Sequence, residues 1–422
     1  MKILWFSNTP ANAEKYLNNK TIGGGWLQSL DMAIQNKVDL HVAFYYPKKS
    51  ESFKFNNTTY HPIAHKNWKL KAIKQSIFNL IESEQDISIF LKIIDDVKPD
   101  LIHIHGTENP FAAIIPKVNM PVVVSIQGNI TVYRHKFFSG IESKFSKEKP
   151  FSVNLLRYLL KKSFFQSYLL MKKMEKRELT NLLNTKYILG RTDWDRRIAK
   201  TMTNNAMYFH SDEMLRDVFY EKKWTNSKLT DKLLIHSTTG NNFYKGFETI
   251  CQVAQILKNK NISFKWQIAG LTRNDSIVKA VELKLGFENF PENELIFLGK
   301  LEEKQLAEKL CEANLFIMAS HIENSPNNLC EAMILGIPCI ATFSGGTPSL
   351  LVDKEHGLLV QDGDPWSMAG AIMEIIENYQ IAINLGTNAR QKALERHDKL
   401  SIENDLISTY HEIINHHNLK TF

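Results

Sequence analysis

Cysteine is scarce in this sequence: its 422 residues include four cysteines and no Cys-x-x-Cys pair. Such spacing argues against a disulfide framework and against a zinc site. Long apolar runs are also missing, because no stretch approaches the ~18–20 residues that a membrane-spanning helix needs. The apolar run Ile3–Phe6 is too short for the core of a secretory signal. These absences predict a reduced, cytoplasmic protein.

The sequence has neither low-complexity tracts nor short repeats, and its charge is only mildly unbalanced. Hydrophobic residues make up 43% of the chain and charged residues 23%, which is typical of soluble globular proteins and excludes global disorder. A length of 422 residues predicts two domains as the default. The net charge of +7 is compatible with anionic small molecules, an anionic membrane surface or nucleic acid, and does not choose between them.

Two series of short apolar runs alternate with helical patterns along the chain. The first series comprises Ile3–Phe6, Leu40–Tyr45, Leu101–Ile104, Val122–Ile126 and Tyr187–Leu189. The second comprises Leu233–Ile235, Phe264–Ala269, Leu295–Leu298, Leu315–Met318, Cys339–Ala341 and Leu358–Val360. Continuous apolar strands separated by helices are typical of a parallel sheet covered on both faces. The sequence therefore predicts an α/β fold with two Rossmann-like halves.

The predicted halves set the expected domain limits. We expect an N-terminal domain over residues 1–220 and a C-terminal domain over 221–385. The helical segments within 386–422 have no strand after them, so they should cap one half or cross back to the N-terminal domain.

Two glutamates follow the predicted strand Leu315–Met318. Ser325 is a suitable N-cap and Pro326 a suitable first helical residue, which leaves Glu323 in the loop and Glu331 in the next helix. Open α/β sheets bind ligands at this carboxyl end of their strands. Two carboxylates there could accept hydrogen bonds from several sugar hydroxyls. A solvated loop glutamate and a glutamate favoured by the helix dipole remain the alternative.

A second loop, after the strand Cys339–Ala341, contains Gly345 and Gly346 followed by Thr347. With Thr347 as N-cap, the free amides of Ser349 and Leu350 would offer an anion site. The glycines would allow a phosphate to approach the backbone closely. An ordinary capped turn is the alternative.

A third loop, residues 236–246, carries hydroxyls, two asparagines and Lys245 immediately before a helical pattern. Lys245 could neutralise a diphosphate as a point charge, although an exposed lysine is usually only solvated. This loop follows the first strand of the second series, so all three loops should lie at one edge of the sheet.

The order of these motifs resembles that of the family 4 retaining glycosyltransferases, which have the GT-B fold of two Rossmann-like domains facing across a cleft. The matching residues are Lys245-Gly246, Glu323, Glu331-Ala332-Met333, Gly336-Ile337-Pro338, Gly345-Gly346, His356–Val360 and Asp362–Pro365. The first half matches more loosely, through Gly23-Gly24-Gly25 and Pro99–His105.

The resemblance implies a role for each matching residue. Glu331 would hold the ribose hydroxyls of a sugar nucleotide, Glu323 would contact the transferred sugar near its anomeric centre, and Lys245 would bind the diphosphate. Further donor-binding positions implied are Gly24, Gly25, Gly240, Asn327, Gly346, Thr347 and Ser349. Gln127, His105 and Arg191 are candidate contacts to the acceptor or the sugar. No metal ion and no cofactor are expected, since the nucleotide diphosphate sugar is a co-substrate.

Three positions depart from the family pattern. Gly240 stands where the family often has an arginine, Gln127 where it often has a histidine, and Ser349 where it often has a glutamate. Gln127 can hydrogen-bond a sugar hydroxyl but cannot act as an acid or base near pH 7. These departures bear on the choice of donor sugar and on catalysis.

Several polar pairs have simpler interpretations. We expect His103 and His105 on opposite sides of their strand end, so that they do not share a metal ion. Asp362 and Asp364 superficially match a metal motif, but the following Pro365 and helical pattern predict a capped turn. Asp193 and Asp195 are similarly expected to cap a helix.

The segment 134–177 combines many lysines and arginines with aromatic and leucine pairs. It could lie on an anionic membrane surface, or form a helix whose basic face is merely solvated. Binding to nucleic acid is disfavoured, because no known nucleic-acid motif accompanies the charge.

The resemblance implies a retaining glycosyltransferase that moves a hexose or N-acetylhexosamine from a nucleotide diphosphate sugar, with uridine favoured, to a growing surface glycan. A lipid-linked acceptor would place the protein at the inner face of the cell membrane. The alternatives are a GT-B nucleotide-sugar epimerase or phosphorylase, and a catalytically silent scaffold that binds glycan or lipid.

Overall fold

The computed structural model of the chain describes residues 1–17, 25–46, 48, 50–64, 84–141, 164–226, 228–229, 232–286 and 290–421. Gly23, Gly24 and residues 142–163 of the basic segment lie outside the described residues. The chain divides into two compact units. The first unit comprises Met1–Arg134, Lys149–Met214 and His397–Phe422, and the second comprises His135–Glu148 and Leu215–Arg396.

The first unit contains an eight-stranded sheet with the order β3-β4-β2-β1-β5-β6-β7-β8. Its strands are β1 Lys2–Ser7, β2 Asp39–Tyr45, β3 Phe53–Phe55, β4 Thr58–Ile63, β5 Leu101–His105, β6 Val122–Ser125, β7 Tyr187–Gly190 and β8 Met207–His210. All neighbours pair in parallel except β3 and β4, which are antiparallel. The apolar runs predicted β1, β2, β5, β6 and β7, but not the partly exposed β3, β4 and β8.

The second unit contains a six-stranded, wholly parallel sheet. Its strands are β9 Leu233–Thr238, β10 Phe264–Ala269, β11 Leu295–Gly299, β12 Leu315–Met318, β13 Cys339–Thr342 and β14 Leu358–Val360, and each was predicted from the sequence. The order β11-β10-β9-β12-β13-β14 reverses between β9 and β12. Ligands of open α/β sheets bind beside such a reversal, outside the carboxyl ends of the strands.

Helices cover both sheets. In chain order they are α1 Ala13–Leu17, α2 Gly25–Ile34, α3 Glu84–Val97, α4 Ile130–His135, α5 Phe164–Leu183, α6 Asp193–Met202, α7 Asp217–Glu221, α8 Phe247–Asn259, α9 Ser276–Leu285, α10 Glu303–Glu312, α11 Asn327–Leu335, α12 Pro365–Glu377, α13 Tyr379–Arg396 and α14 Lys399–Thr421. Short 3₁₀ helices span Pro110–Lys117, Phe243–Lys245 and Thr347–Ser349. Asp195 forms a capping box with Thr192 at the start of α6, as its position predicted.

The central strands are buried on both faces because helices pack on each side. In β1, Ile3 and Trp5 belong to one apolar cluster, whereas Leu4 and Phe6 belong to another. This alternation follows from the two-residue period of a strand, and it explains why parallel strands are continuous apolar runs in the sequence.

The last helix, α14, packs in the first unit. Its Tyr410 is fully buried, and the Tyr410 hydroxyl accepts a hydrogen bond of 3.0 Å from Trp5 Nε1. The same hydroxyl lies 2.6 Å from Nδ1 of His103 on β5. Burial lowers the pKa of His103 to about 3, so this imidazole is neutral at physiological pH.

Candidate active site

Three loops lie together at the carboxyl edge of the second sheet. They follow β9, β12 and β13, and β12 pairs with both of the other strands. Backbone hydrogen bonds join them: His321 N donates to Tyr244 O at 2.8 Å, and Gly346 N donates to Glu323 O at 3.0 Å. The loop after β12 is therefore held between its two neighbours.

Two glycines allow this close approach. Gly246 has a φ of 71°, and a Cβ atom at this position would lie 1.8 Å from Ala319 O. Gly345 has a φ of 53°, and a Cβ atom there would lie 1.8 Å from Glu323 O. Real Cβ atoms do not come so close to a carbonyl oxygen, and other residues avoid this backbone region, so both positions require glycine.

Lys245 and Glu323 form an ion pair in this arrangement, with Nζ 2.6 Å from Oε1. Glu323 is buried, with 4% of its surface exposed. Burial lowers the pKa of Lys245, but the facing Glu323 carboxylate outweighs it and raises the pKa above its ordinary value. Lys245 is therefore charged, and within the described residues two of its three N–H donors remain for an anion beside the carboxylate.

Glu331, on α11, pairs with an arginine that the sequence analysis did not single out. Its Oε1 accepts hydrogen bonds from Nε and Nη2 of Arg216 at 3.0 and 2.6 Å. Burial raises the pKa of Glu331, and Arg216 acts in the opposite direction. Arg216 immediately precedes α7, and its guanidinium lies over the Phe219 ring at 4.8 Å.

Helix α11 starts one residue later than predicted. Pro326, not Ser325, is the N-cap, and the first helical residue is Asn327. Pro326 has a ψ of 107°, which is extended, so the helix can begin only after it. Its carbonyl accepts from the amides of Leu329 and Cys330 at 3.0 and 3.1 Å.

The prediction that Ser349 and Leu350 have free amides was wrong. Thr347–Ser349 is a 3₁₀ helix, with Gly346 as its N-cap. Ser349 N donates to Gly346 O, and Leu350 N donates to Thr347 O, both at 2.9 Å. A 3₁₀ turn uses amides that the first turn of an α-helix leaves free, so these two are not available to an anion.

Other predicted donor positions do offer unused groups. Thr347 Oγ1 and Asn327 Oδ1 are buried and have no hydrogen-bond partner among the described residues. At Gly240, a Cβ atom would meet nothing within 4 Å in the described part of the chain, so this position has room for a side chain. Gly25 is the first residue of α2 in the first unit.

His321 lies in the same loop as Glu323 and anchors this loop through two carboxylates. Its Nε2 lies 2.5 Å from Oε1 of Glu248, and its Nδ1 lies 3.5 Å from Oδ2 of Asp362. Burial lowers the pKa of His321, but these carboxylates together raise it above its ordinary value. Asp364 caps α12 by accepting from two backbone amides, which confirms the predicted capped turn.

The acceptor-side candidates belong to the first unit. The rings of His103 and His105 lie 3.8 Å apart on the same side of β5. The expectation of opposite sides was wrong, because residues two apart share a strand face. Both ring nitrogens of His105 are buried without a partner among the described residues. The Arg191 guanidinium lies over the Trp26 ring at 4.2 Å, beside His105.

A cavity lined by these residues is small. It measures about 20 Å³, enough for one water molecule but not for a sugar ring. Gln127 lies in the next loop, and its Nε2 is buried without a partner in the described structure. The Glu178 carboxylate holds that loop by accepting from the amides of Ile130 and Thr131 at 3.0 and 2.8 Å.

The described part of the basic segment includes helix α5. Lys172, Lys173 and Lys176 are exposed on it. Among the helices in the described ranges, none has both the length and the apolar character that crossing a membrane requires.

Comparison with known proteins places the second unit in context. Residues 220–392 match the family described as glycosyl transferases group 1. N-acetyl-alpha-D-glucosaminyl L-malate synthase of Bacillus anthracis is 24% identical over 56% of this chain. The matched region covers 58% of that relative. A capsular polysaccharide biosynthesis glycosyltransferase, CapM of Staphylococcus aureus, is 22% identical over 86% of this chain and 92% of its own length.

Solved structures are similar over nearly the whole chain. Sucrose-phosphate synthase from Thermosynechococcus elongatus superposes with a TM-score of 0.73, at 14% identity, covering 98% of this chain and 99% of its own. HepE from Anabaena, solved with UDP-glucose, has a TM-score of 0.67 at 14% identity and covers 98% of this chain and 100% of its own. These findings confirm the GT-B fold and the predicted resemblance to the family 4 glycosyltransferases.

The two clamping glycines give a direct test of the loop geometry. We expect Gly345→Ala to lower the free energy of unfolding by about 2 kcal/mol or more, because the new Cβ collides with Glu323 O in a strained backbone conformation. The matched control is Gly370→Ala in helix α12, where a Cβ atom meets nothing nearby among the described residues. This control should stabilise by up to about 1 kcal/mol. If both variants change the free energy of unfolding equally in urea, the close contact between Gly345 and the Glu323 loop is contradicted.

Proposed function

Because residues 220–392 match the group 1 glycosyl transferases on a GT-B fold, we propose that this protein transfers a hexose or N-acetylhexosamine from a uridine diphosphate sugar to a growing surface glycan, with retention of configuration. The observation that carries the proposal is the Lys245–Glu323 pair, in which a half-buried lysine meets a buried glutamate beside the point where the strand order of the second sheet reverses. The bond to be broken joins a sugar to a phosphate. The Lys245 cation suits the phosphate end of this bond, and the Glu323 carboxylate suits the hydroxyls at its sugar end.

In this proposal Lys245 binds the diphosphate with the two N–H donors that Glu323 leaves free. Its positive charge stabilises the negative charge that develops on the leaving nucleoside diphosphate, from a position that needs no rearrangement. The Glu323 carboxylate accepts a hydrogen bond from a hydroxyl of the transferred sugar. The charge on the leaving group is thus balanced by protein groups, without a metal ion or cofactor.

The uridine nucleotide and the glycan acceptor are supported by the relatives. HepE was solved with UDP-glucose, and CapM is named for capsular polysaccharide biosynthesis. A nucleotide-sugar epimerase or a phosphorylase on the same fold would differ in its reaction: the first makes or exchanges a free sugar nucleotide without an acceptor, and the second consumes phosphate. A silent scaffold would leave the donor intact.

We further propose that the acceptor is lipid-linked and that helix α5 meets an anionic membrane surface. The exposed Lys172, Lys173 and Lys176 support this proposal, since they place three positive charges along one helix. Each basic residue near an anionic surface contributes about 1 kcal/mol to attraction.

Glu323→Gln tests the sugar assignment. The variant keeps the shape of the side chain but loses the charge, so UDP affinity should stay within about threefold while release of UDP from a panel of UDP-sugars falls by at least ~10²-fold. Glu355→Gln, at an exposed glutamate of the same unit, serves as the control and should be unchanged. Turnover that survives Glu323→Gln would remove this carboxylate from the sugar site.

Gly240→Arg tests the diphosphate assignment by gain of function. The open space at this position admits the arginine that the family often carries there. An added charged hydrogen bond to phosphate should tighten UDP binding about tenfold. Gly370→Arg adds the same charge at another open position, in α12, and should change nothing. Equal affinities of Gly240→Arg and the parent in calorimetry would argue against phosphate binding beside this loop.

The membrane proposal is tested by flotation with anionic vesicles at low salt. The parent should float, and replacement of Lys172, Lys173 and Lys176 with glutamate should abolish flotation without altering UDP binding. Replacing three exposed lysines of the second unit, Lys260, Lys279 and Lys392, is the matched control. Added salt should release the parent, because charges are screened beyond ~8–10 Å. A parent that stays at the bottom of the gradient leaves a merely solvated basic face.

A further inference from the structure

The ion pair between Arg216 and Glu331 is one-sided. Two nitrogens of the guanidinium, Nε and Nη2, both donate to the same oxygen, Oε1, at 3.0 and 2.6 Å. Within the described residues no donor reaches the other oxygen, Oε2. A carboxylate oxygen has two lone pairs, so Oε1 is saturated and Oε2 retains its full accepting capacity.

Arg216 is held in this position by its surroundings. It stacks over Phe219 at 4.8 Å, and Glu331 lies on the buried helix α11 with 5% of its surface exposed. Withdrawing the arginine would leave a buried carboxylate without its counter-charge, which is costly. The pair should therefore persist when a ligand binds beside it.

We propose that Arg216 determines nucleotide specificity by restricting Glu331 to one ribose hydroxyl. The inference rests on the proposed function, together with the ribose-binding role that the family resemblance implies for Glu331. A carboxylate with both oxygens available can take the two hydroxyls of a ribose separately, one on each oxygen. Here Oε1 is occupied by Arg216, so one hydroxyl binds Oε2 and the other contributes little.

Deoxynucleotides show whether Glu331 binds one ribose hydroxyl or both. We expect the parent to bind one of the two analogues, 2′-deoxy-UDP or 3′-deoxy-UDP, at least about tenfold more weakly than UDP. Its affinity for the other analogue should lie within about threefold of that for UDP. In Arg216→Met both oxygens are free, so both analogues should bind about tenfold or more weaker than UDP. Titration calorimetry of the full chain with each nucleotide gives these ratios.

Two controls complete the experiment. Glu331→Gln should reduce discrimination against the analogue that the parent rejects. Arg196→Met removes an arginine with the same geometry, since Arg196 Nε and Nη2 donate to a single oxygen of Asp193 at 3.0 and 2.9 Å in the first unit. That variant should keep the parent profile.

The outcomes distinguish the inference from the function on which it rests. If the parent does not bind UDP, both fail. If the parent binds UDP and rejects both deoxynucleotides equally, or neither, only the Arg216 inference fails, and this result needs no variant to fold. If Arg216→Met folds, binds UDP and repeats the parent profile, Arg216 has no part in specificity.

Discussion

The candidate site depends on how closely the loop after β12 lies between its neighbours. Gly246 and Gly345 lie so close to carbonyl oxygens of this loop that a Cβ atom at either position would collide with them. Two backbone hydrogen bonds also join this loop to its neighbours. The backbone of Glu323 is therefore positioned by backbone contacts alone, without any side-chain interaction. Preorganisation of this kind lets a charged group act without rearranging during the reaction.

Two ion pairs then set the charge of the site. Lys245 neutralises Glu323 and Arg216 neutralises Glu331, so both buried carboxylates remain close to their counter-charges. Each pair is incomplete: the ammonium keeps two donors, and Glu331 keeps one oxygen. A ligand that brings phosphate and hydroxyl groups can therefore bind without leaving either carboxylate alone in the interior, where an unpaired charge is costly.

The sequence predicted the sheets better than the side-chain contacts. Buried parallel strands are continuous apolar runs, so β9 to β14 were evident, whereas the partly exposed β3, β4 and β8 were not. The order of strands and loops predicted that Lys245 and Glu323 lie at the same edge of the sheet, since each stands in a loop that follows a strand. The Arg216–Glu331 pair joins residues 115 positions apart, and no local pattern encodes such a contact. The amides of Ser349 and Leu350 were misjudged because sequence does not separate a 3₁₀ turn from the first turn of an α-helix.

We propose that the loops after β9, β12 and β13 together bind a nucleoside diphosphate sugar. Hydrogen–deuterium exchange of the full chain, with and without UDP-glucose, measures this most directly. We expect slower exchange in peptides covering residues 239–246, 319–331 and 342–350, where the closely packed loop backbone, Lys245, Glu323 and Glu331 lie. Calorimetrically detected binding that leaves exchange in all three segments unchanged would contradict it.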